Sequence, residues 1–135
     1  MLAFDFLIFI DDDRANNVFH ELVMEESGLG KMAKSFLSPV KALAYFKELE
    51  EQAGTFPEII FLDINMPQMT GWEFLDHFEE MQLKSYPWIV ILSSSNYHKD
   101  KALSEAHPMV HSYIEKPLSK ENLQALLNAY QDAQK

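Results

Sequence analysis

The chain has 135 residues, of which 47% are hydrophobic and 13% aromatic, and this size suits one domain with one substantial core. Twenty-one acidic against eleven basic residues give a formal net charge of -10, which opposes direct binding to nucleic acid or to an anionic membrane. Because the sequence has no cysteine, disulfides, thiolate metal sites and a cysteine nucleophile are excluded.

The apolar start of the chain does not have the pattern of a signal peptide. Asp5 interrupts it, three aspartates follow it, and there is neither a basic first region nor a small-residue cleavage site. No apolar run approaches the roughly 20 residues needed to span a bilayer. We therefore expect a cytoplasmic protein that does not contact a membrane.

The first half of the chain alternates between short apolar runs and helical spacing. A strand is predicted over residues 4–10, ending at Asp11-Asp12-Asp13. A helix follows, and Gly28 or Gly30 can end it. A second strand is predicted over residues 32–37, before Ser38-Pro39, which suit the first positions of a helix that stops near Gly54. The apolar face predicted for the first helix consists of Ala15, Val18, Phe19, Leu22 and Val23.

The second half repeats the same alternation three times. Continuous apolar runs predict buried strands, and apolar residues three or four apart predict helices. The predicted strands cover 59–62, 88–92 and 110–114, and the helices contain Trp72 to Phe78, Asp100 to Ala106, and Leu123 to Tyr130 after a Ser119 cap.

Five strand-helix units in succession indicate the fold class. We predict an α/β domain, (βα)5 and doubly wound, with a five-stranded parallel sheet covered by helices on both faces. Residues 1–135 form a single domain in this prediction, with no output domain. Any output then requires contacts with another molecule.

Polar side chains stand at the ends of four of the apolar runs. They are Asp11 to Asp13, Asp63, Ser93 and Lys116. If the runs are parallel strands, these groups converge at the carboxyl edge of the sheet, where open α/β folds bind ligands.

Adjacent carboxylates repel by about 1 kcal/mol per pair at 4 Å in water, and a divalent cation removes that cost. Oxygen ligands favour Mg²⁺ or Mn²⁺ over Zn²⁺. The alternative is that these aspartates only cap the first helix. For Asp13 alone, the sequence favours a capping role and a metal-binding role equally.

This set of groups is typical of metal-assisted phosphoryl transfer. Asp63 is the candidate nucleophile, because a carboxylate can attack phosphorus and form an acyl phosphate. Ser93 can donate a hydrogen bond to an equatorial oxygen, and Lys116 can pair with another as a point charge. The five histidines show no metal-ligand spacing, and we expect all of them at the surface.

Four motifs together resemble the receiver domain of two-component response regulators. They occur in the order and approximate spacing of that family: Ile10-Asp11-Asp12-Asp13, Phe61-Leu62-Asp63-Ile64-Asn65-Met66-Pro67 with Gly71, Ile91-Leu92-Ser93-Ser94-Ser95, and Tyr113-Ile114-Glu115-Lys116-Pro117. The resemblance runs nearly end to end. It implies a flavodoxin-like sheet with strand order 2-1-3-4-5.

The resemblance also implies a role for each matching position. Asp63 matches the phosphoacceptor, and Ser93 and Lys116 match the groups that hold the phosphoryl oxygens. Tyr113 matches the aromatic switch residue that responds to Ser93. The implied Mg²⁺ ligands are Asp11, Asp12, Asp63 and the backbone carbonyl of Asn65, and the peptide expected to be cis joins Lys116 to Pro117. Asn65 and Ser95 occupy the positions that influence access of hydrolytic water.

By this resemblance the chain is a bacterial phosphoprotein, and not a dedicated enzyme. It would take its phosphoryl group from a sensor histidine kinase or phosphotransfer protein and signal to a downstream protein target in trans. Homodimerisation on phosphorylation stays open. Two alternatives also remain: a receiver-like scaffold that no longer switches, and a phosphohydrolase with an aspartyl-phosphate intermediate. Asn65 counts against the second, because it stands where such enzymes place a second acid.

Overall fold

A computed structural model describes residues 2–94 and 98–135 and shows five strands alternating with five helices. The strands are β1 (Phe4–Ile10), β2 (Gly30–Phe36), β3 (Ile59–Leu62), β4 (Trp88–Ser93) and β5 (Val110–Glu115). The helices are α1 (Arg14–Ser27), α2 (Pro39–Gln52), α3 (Gly71–Glu80), α4 (His98–Ala106) and α5 (Lys120–Ala133). All strand pairs are parallel and the sheet order is 2-1-3-4-5, which confirms the predicted fold class.

The sheet separates two layers of core. Alternate residues of β1, β3 and β4 point to opposite faces, so each of these strands contributes to both layers. One layer packs α2 and α3 against the sheet, with Phe46, Phe74 and Phe78 as its largest helical side chains. The other packs α1 and α5 through Met24 and Leu127. The three central strands are therefore buried on both faces, and β2 and β5 form the edges.

Most helix boundaries follow from their capping residues. The side chains of Ser38, Thr70 and Ser119 accept a backbone N–H in the first turn of α2, α3 and α5. Gly28 ends α1 in the left-handed conformation, with φ of 71°. Among the described residues, no helix has both the length and the apolar character that a membrane span requires.

The predicted apolar face of α1 is wrong. Val18, Phe19 and Leu22 are 51%, 46% and 47% exposed, and the buried residues of the helix are Asn17, His20 and Met24. Val23 of the predicted face is partly buried and packs against the core, but the fully buried residues lie about 165° around the helix from the centre of that face, at about 100° per residue. The reason is a set of hydrogen bonds from the Asn17 amide to the strand ends, which apolar periodicity does not register.

His20 also contradicts the expectation that all histidines lie at the surface. It is buried, and its ring stacks on Phe9 of β1 at 6.1 Å between centroids. Burial, with a smaller contribution from the charge of Lys116, lowers the pKa of His20 below its ordinary value. The imidazole is therefore neutral near pH 7 and behaves as a core side chain.

The rotation of α1 makes a prediction about two neighbouring apolar residues. Leu22→Ala should change the free energy of unfolding by less than about 1 kcal/mol, because the side chain is half-exposed. Met24→Ala should lower it by about 2 to 5 kcal/mol, because that side chain is fully packed. Urea unfolding of both variants compares them, and a larger loss for Leu22→Ala would contradict the orientation described here.

Candidate functional site

Backbone hydrogen bonds align the ends of the strands that carry the predicted site residues. Asp11 directly follows β1, and its N–H donates to the carbonyl of Phe36 on β2 at 3.1 Å. Asp63 directly follows β3, and its N–H donates to Ile10 at 3.0 Å. Each ladder thus continues one residue past its strand, so these carboxylates share one edge of the sheet.

Lys116 joins the same edge from β5. Its N–H donates to the carbonyl of Ser93 at 2.9 Å, and its ammonium lies 2.6 Å from Asp11 Oδ2 and 3.7 Å from Asp63 Oδ2. The side chains of Lys116, Asp11 and Asp63 are only 12%, 6% and 7% exposed, so solvent screens this cluster weakly. The peptide between Lys116 and Pro117 is cis.

The acidic cluster fits a small divalent cation. Carboxylate oxygens of Asp11, Asp12 and Asp63 all lie within 4.8 Å of one another. Two ligands on opposite sides of a Mg²⁺ ion are about 4.2 Å apart, so a small side-chain movement brings the three oxygens to coordination distance. Asp12 is exposed, which leaves an approach from solvent. The backbone N–H of Asn65 donates to Asp63 Oδ1 at 3.3 Å, so that residue lies at the same loop.

Asp63 carries a strongly perturbed carboxyl group. Burial is the largest cause, and the charges of Asp11 and Asp12 add to it. Lys116 and the N–H of Asn65 act in the opposite direction, and the net effect raises the pKa of Asp63 to about 6. An ionised Asp63 is therefore stabilised less well in the protein alone than in water, and added positive charge at this site is favourable.

Ser93 and Tyr113 lie on neighbouring strands. Ser93 is completely buried at the end of β4, and it pairs in register with Glu115, two residues after Tyr113. Because side chains two apart on a strand point to the same face, Ser93 and Tyr113 both point toward the layer that contains α3. Burial, and then the negative charges of Asp100 and Glu115, raise the pKa of the Tyr113 hydroxyl.

Two site residues, Asn16 and Asn17, were not predicted from the sequence. The Asn16 amide donates to Asp11 Oδ2 at 3.2 Å, and the Asn17 amide donates to the main-chain carbonyl of Asp11 at 3.0 Å. The Asp13 side chain accepts the N–H of Ala15 at 2.9 Å and so caps α1. This agrees with the alternative interpretation of Asp13 as a helix cap. The Asn-Asn pair that begins three residues after Asp13 was the available signal. Ser95 lies outside the described residues.

Gly71 is required by its close approach to the loop after β3. Its N–H donates to the carbonyl of Ile64 at 2.9 Å. A Cβ atom at this position would lie 2.8 Å from the carbonyl oxygen of Asp63 and 3.0 Å from the Cα of Ile64. Both are main-chain atoms, so the loop that carries Asp63 would have to move.

Gly71→Ala should therefore lower the free energy of unfolding by about 1 to 3 kcal/mol. Gly54→Ala is the matched control, because its new Cβ would meet only the movable end of the Leu49 side chain, at 2.6 Å. Thermal or urea unfolding measures both. If both substitutions lower the free energy of unfolding equally, the close main-chain contact at Gly71 is not the cause of the loss.

The raised pKa of Asp63 predicts a pH-dependent stability in the metal-free protein. The ordinary value is 3.8, so the ionised carboxylate costs stability above about pH 6, and this cost shrinks between pH 6 and 3.8. Asp63→Asn should thus be more stable than the parent at pH 8, by up to about 3 kcal/mol, with the difference closing by pH 4. Urea unfolding in the presence of a chelator measures this difference. The exposed Asp76→Asn should show no such trend, and a constant difference for Asp63→Asn would contradict the expectation.

Comparison with known proteins agrees with this geometry. A family model of the response regulator receiver domain matches residues 7–128. The solved structure of a two-component response regulator from Cytophaga hutchinsonii superposes with a TM-score of 0.88 at 32% identity, over 96% of this chain and 98% of its own. A response regulator receiver protein from Dyadobacter fermentans superposes with a TM-score of 0.80 at 26% identity, over 93% and 97%. Protein PilG of Pseudomonas aeruginosa is 35% identical over 94 residues, which are 67% of each protein. The chain belongs to the receiver domains of two-component response regulators.

Proposed function

We propose that this receiver accepts a phosphoryl group on Asp63 from a phosphohistidine of a sensor histidine kinase or phosphotransfer protein. The observation that carries the proposal is a buried carboxylate, Asp63, that lies between an acidic pair and the ammonium group of Lys116. Membership of the family implies partners of this kind.

The acidic pocket supports a dependence on Mg²⁺. Asp11, Asp12 and Asp63, with the backbone carbonyl of Asn65, would hold the ion. When bound, Mg²⁺ supplies positive charge that offsets the carboxylates and the oxygens of the transferring phosphoryl group. All the ligands are oxygen atoms, which suits Mg²⁺ or Mn²⁺.

The transfer requires Asp63 to act as nucleophile. A carboxylate oxygen attacks the phosphorus, the new P–O bond forms, and the P–N bond to the donor imidazole breaks. The imidazole leaves with the electron pair of that bond and takes up a proton from solvent. Lys116 would shift its contact from Asp11 to a phosphoryl oxygen, and the Ser93 hydroxyl would donate to another.

The arrangement of β4 and β5 supports a response to this event. Movement of Ser93 toward the phosphoryl group would change the packing on the face that it shares with Tyr113. Tyr113 senses the charge of Asp100 on α4, so a change at its ring would reach the surface formed by α4, β5 and α5. A population shift of this surface would select the downstream target.

We further propose that the protein is not a dedicated enzyme. Its function in this proposal is to become phosphorylated, to bind its target in trans, and to lose the phosphoryl group by hydrolysis. The target bound in trans can also be a second copy of this chain, and phosphorylation would then produce a homodimer.

Labelling with a small phosphodonor tests the proposal. Incubation with acetyl phosphate and Mg²⁺ should add one phosphoryl group, observed as intact-protein mass. Asp63→Asn should remove the label completely, because no other carboxylate takes its place between Lys116 and the acidic pair. Ser93→Ala and Lys116→Met should slow labelling, by about 10-fold or more, through loss of a charge or donor at the transferring group.

Two controls make the labelling experiment decisive. Omission of Mg²⁺ should abolish the label, and Asp76→Asn, an exposed substitution on α3, should leave it unchanged. Stoichiometric labelling of Asp63→Asn would overturn the assignment. If the parent takes no label from acetyl phosphate or from a phosphohistidine donor while it still binds Mg²⁺, the receiver acts as a scaffold instead.

A further inference from the structure

Two consecutive asparagines at the start of α1 hold Asp11 from different sides. Asn16 donates to the Asp11 carboxylate at 3.2 Å, whereas Asn17 donates to the Asp11 main-chain carbonyl at 3.0 Å. Asn17 is only 3% exposed, so its amide lies beneath the acidic pocket and not in it. The hydrogen bonds of its side chain go to main-chain carbonyls and not to the carboxylate oxygens.

The Asn17 amide also reaches a second strand. Its Nδ2 lies 3.4 Å from the carbonyl of Phe36, the same carbonyl that accepts the N–H of Asp11 at 3.1 Å. One side chain therefore joins the end of β1, the end of β2 and the first turn of α1. These three segments meet where the acidic pair leaves the sheet.

We propose that Asn17 is a positioning residue for the divalent cation. The carbonyl that it binds belongs to the peptide linking Asp11 to Asp12, so Asn17 sets the plane from which both carboxylates project. Fixing this plane before the ion arrives lowers the cost of bringing the acidic oxygens to coordination distance. This inference rests on the Mg²⁺ site of the proposed function and adds a residue that does not touch the ion.

The other half of the amide argues that Asn17 is not there for packing alone. Its Oδ1 is buried and has no hydrogen-bond partner among the described residues. A buried acceptor without a partner destabilises the folded state. A leucine, which has the same branched shape and the same number of side-chain heavy atoms, would fill the space without this cost, so the donating half of the amide must supply what the apolar side chain lacks.

Asn17→Leu separates the two roles, because it keeps the branched shape of the side chain and removes the donor. Titration calorimetry of the purified chain with MgCl₂ should give a dissociation constant about 10-fold or more above that of the parent, the size typical for outer-shell partners of metal ligands. Urea unfolding of the metal-free variant should show stability close to that of the parent. Labelling by acetyl phosphate should be slow at limiting Mg²⁺ and recover at saturating Mg²⁺.

Met24→Ala is the matched control, since Met24 lies on the same buried face of α1 but about two turns beyond Asn17 and farther from the acidic pair. It should destabilise the fold and leave the Mg²⁺ dissociation constant within about twofold of the parent. If Asn17→Leu fails to fold, Asn17→Ser, which is too short to reach both carbonyls, takes its place in the same titration.

Two results would overturn the proposal. One is a Mg²⁺ dissociation constant for the Asn17 variant within about twofold of the parent, which would make Asn17 a structural link only. The other is an equal loss in Met24→Ala, which would make the effect a general one of stability. A parent protein that binds no Mg²⁺ would instead overturn the proposed function, so the two failures are distinguishable.

Discussion

Three carboxylates and one ammonium group meet at the carboxyl edge of the sheet, and this imbalance of charge is the constraint on which the site depends. Lys116 lies closer to Asp11 than to Asp63, so the Asp63 carboxylate is compensated less well than that of Asp11. Burial is the main cause of the raised pKa of Asp63, and the neighbouring carboxylates add to it. A pocket built in this way gains stability when it receives positive charge, and in the proposed function a bound ion would prepare it for an incoming phosphoryl group.

The fold supplies this arrangement through its apolar strands. β1, β3 and β4 are buried on both faces, and the polar group of each stands at the first position where the core ends. Main-chain hydrogen bonds carry the register one residue beyond the strands, so the positions of Asp11 and Asp63 relative to each other are fixed by the sheet itself. Gly71 then allows the loop after β3 to pack closely.

The sequence was sufficient for the element order, the sheet topology and the residues at the strand ends, because each depends on local runs and on where those runs stop. It was not sufficient for the orientation of α1. Apolar periodicity favoured Val18 and Leu22 for the core, but the hydrogen bonds of Asn17 turn a different face inward and bury His20 with it. Such contacts depend on carbonyl groups of two strands that become neighbours only in the folded chain, and therefore no single window of sequence contains them.

The position of each strand in the sheet also divides the site into fixed and movable charge. Asp11 and Asp63 follow central strands, each hydrogen-bonded to two neighbours, whereas Lys116 follows β5, an edge strand with β4 as its one partner. Local opening of β5 breaks one ladder of strand hydrogen bonds, whereas opening of β3 breaks two. The segments that carry the acidic ligands are therefore locally more stable than the segment that carries Lys116. In the proposed transfer, the group that would change partners is thus the one that the sheet holds least firmly. The same sheet can keep an ion site rigid and let its counter-charge move.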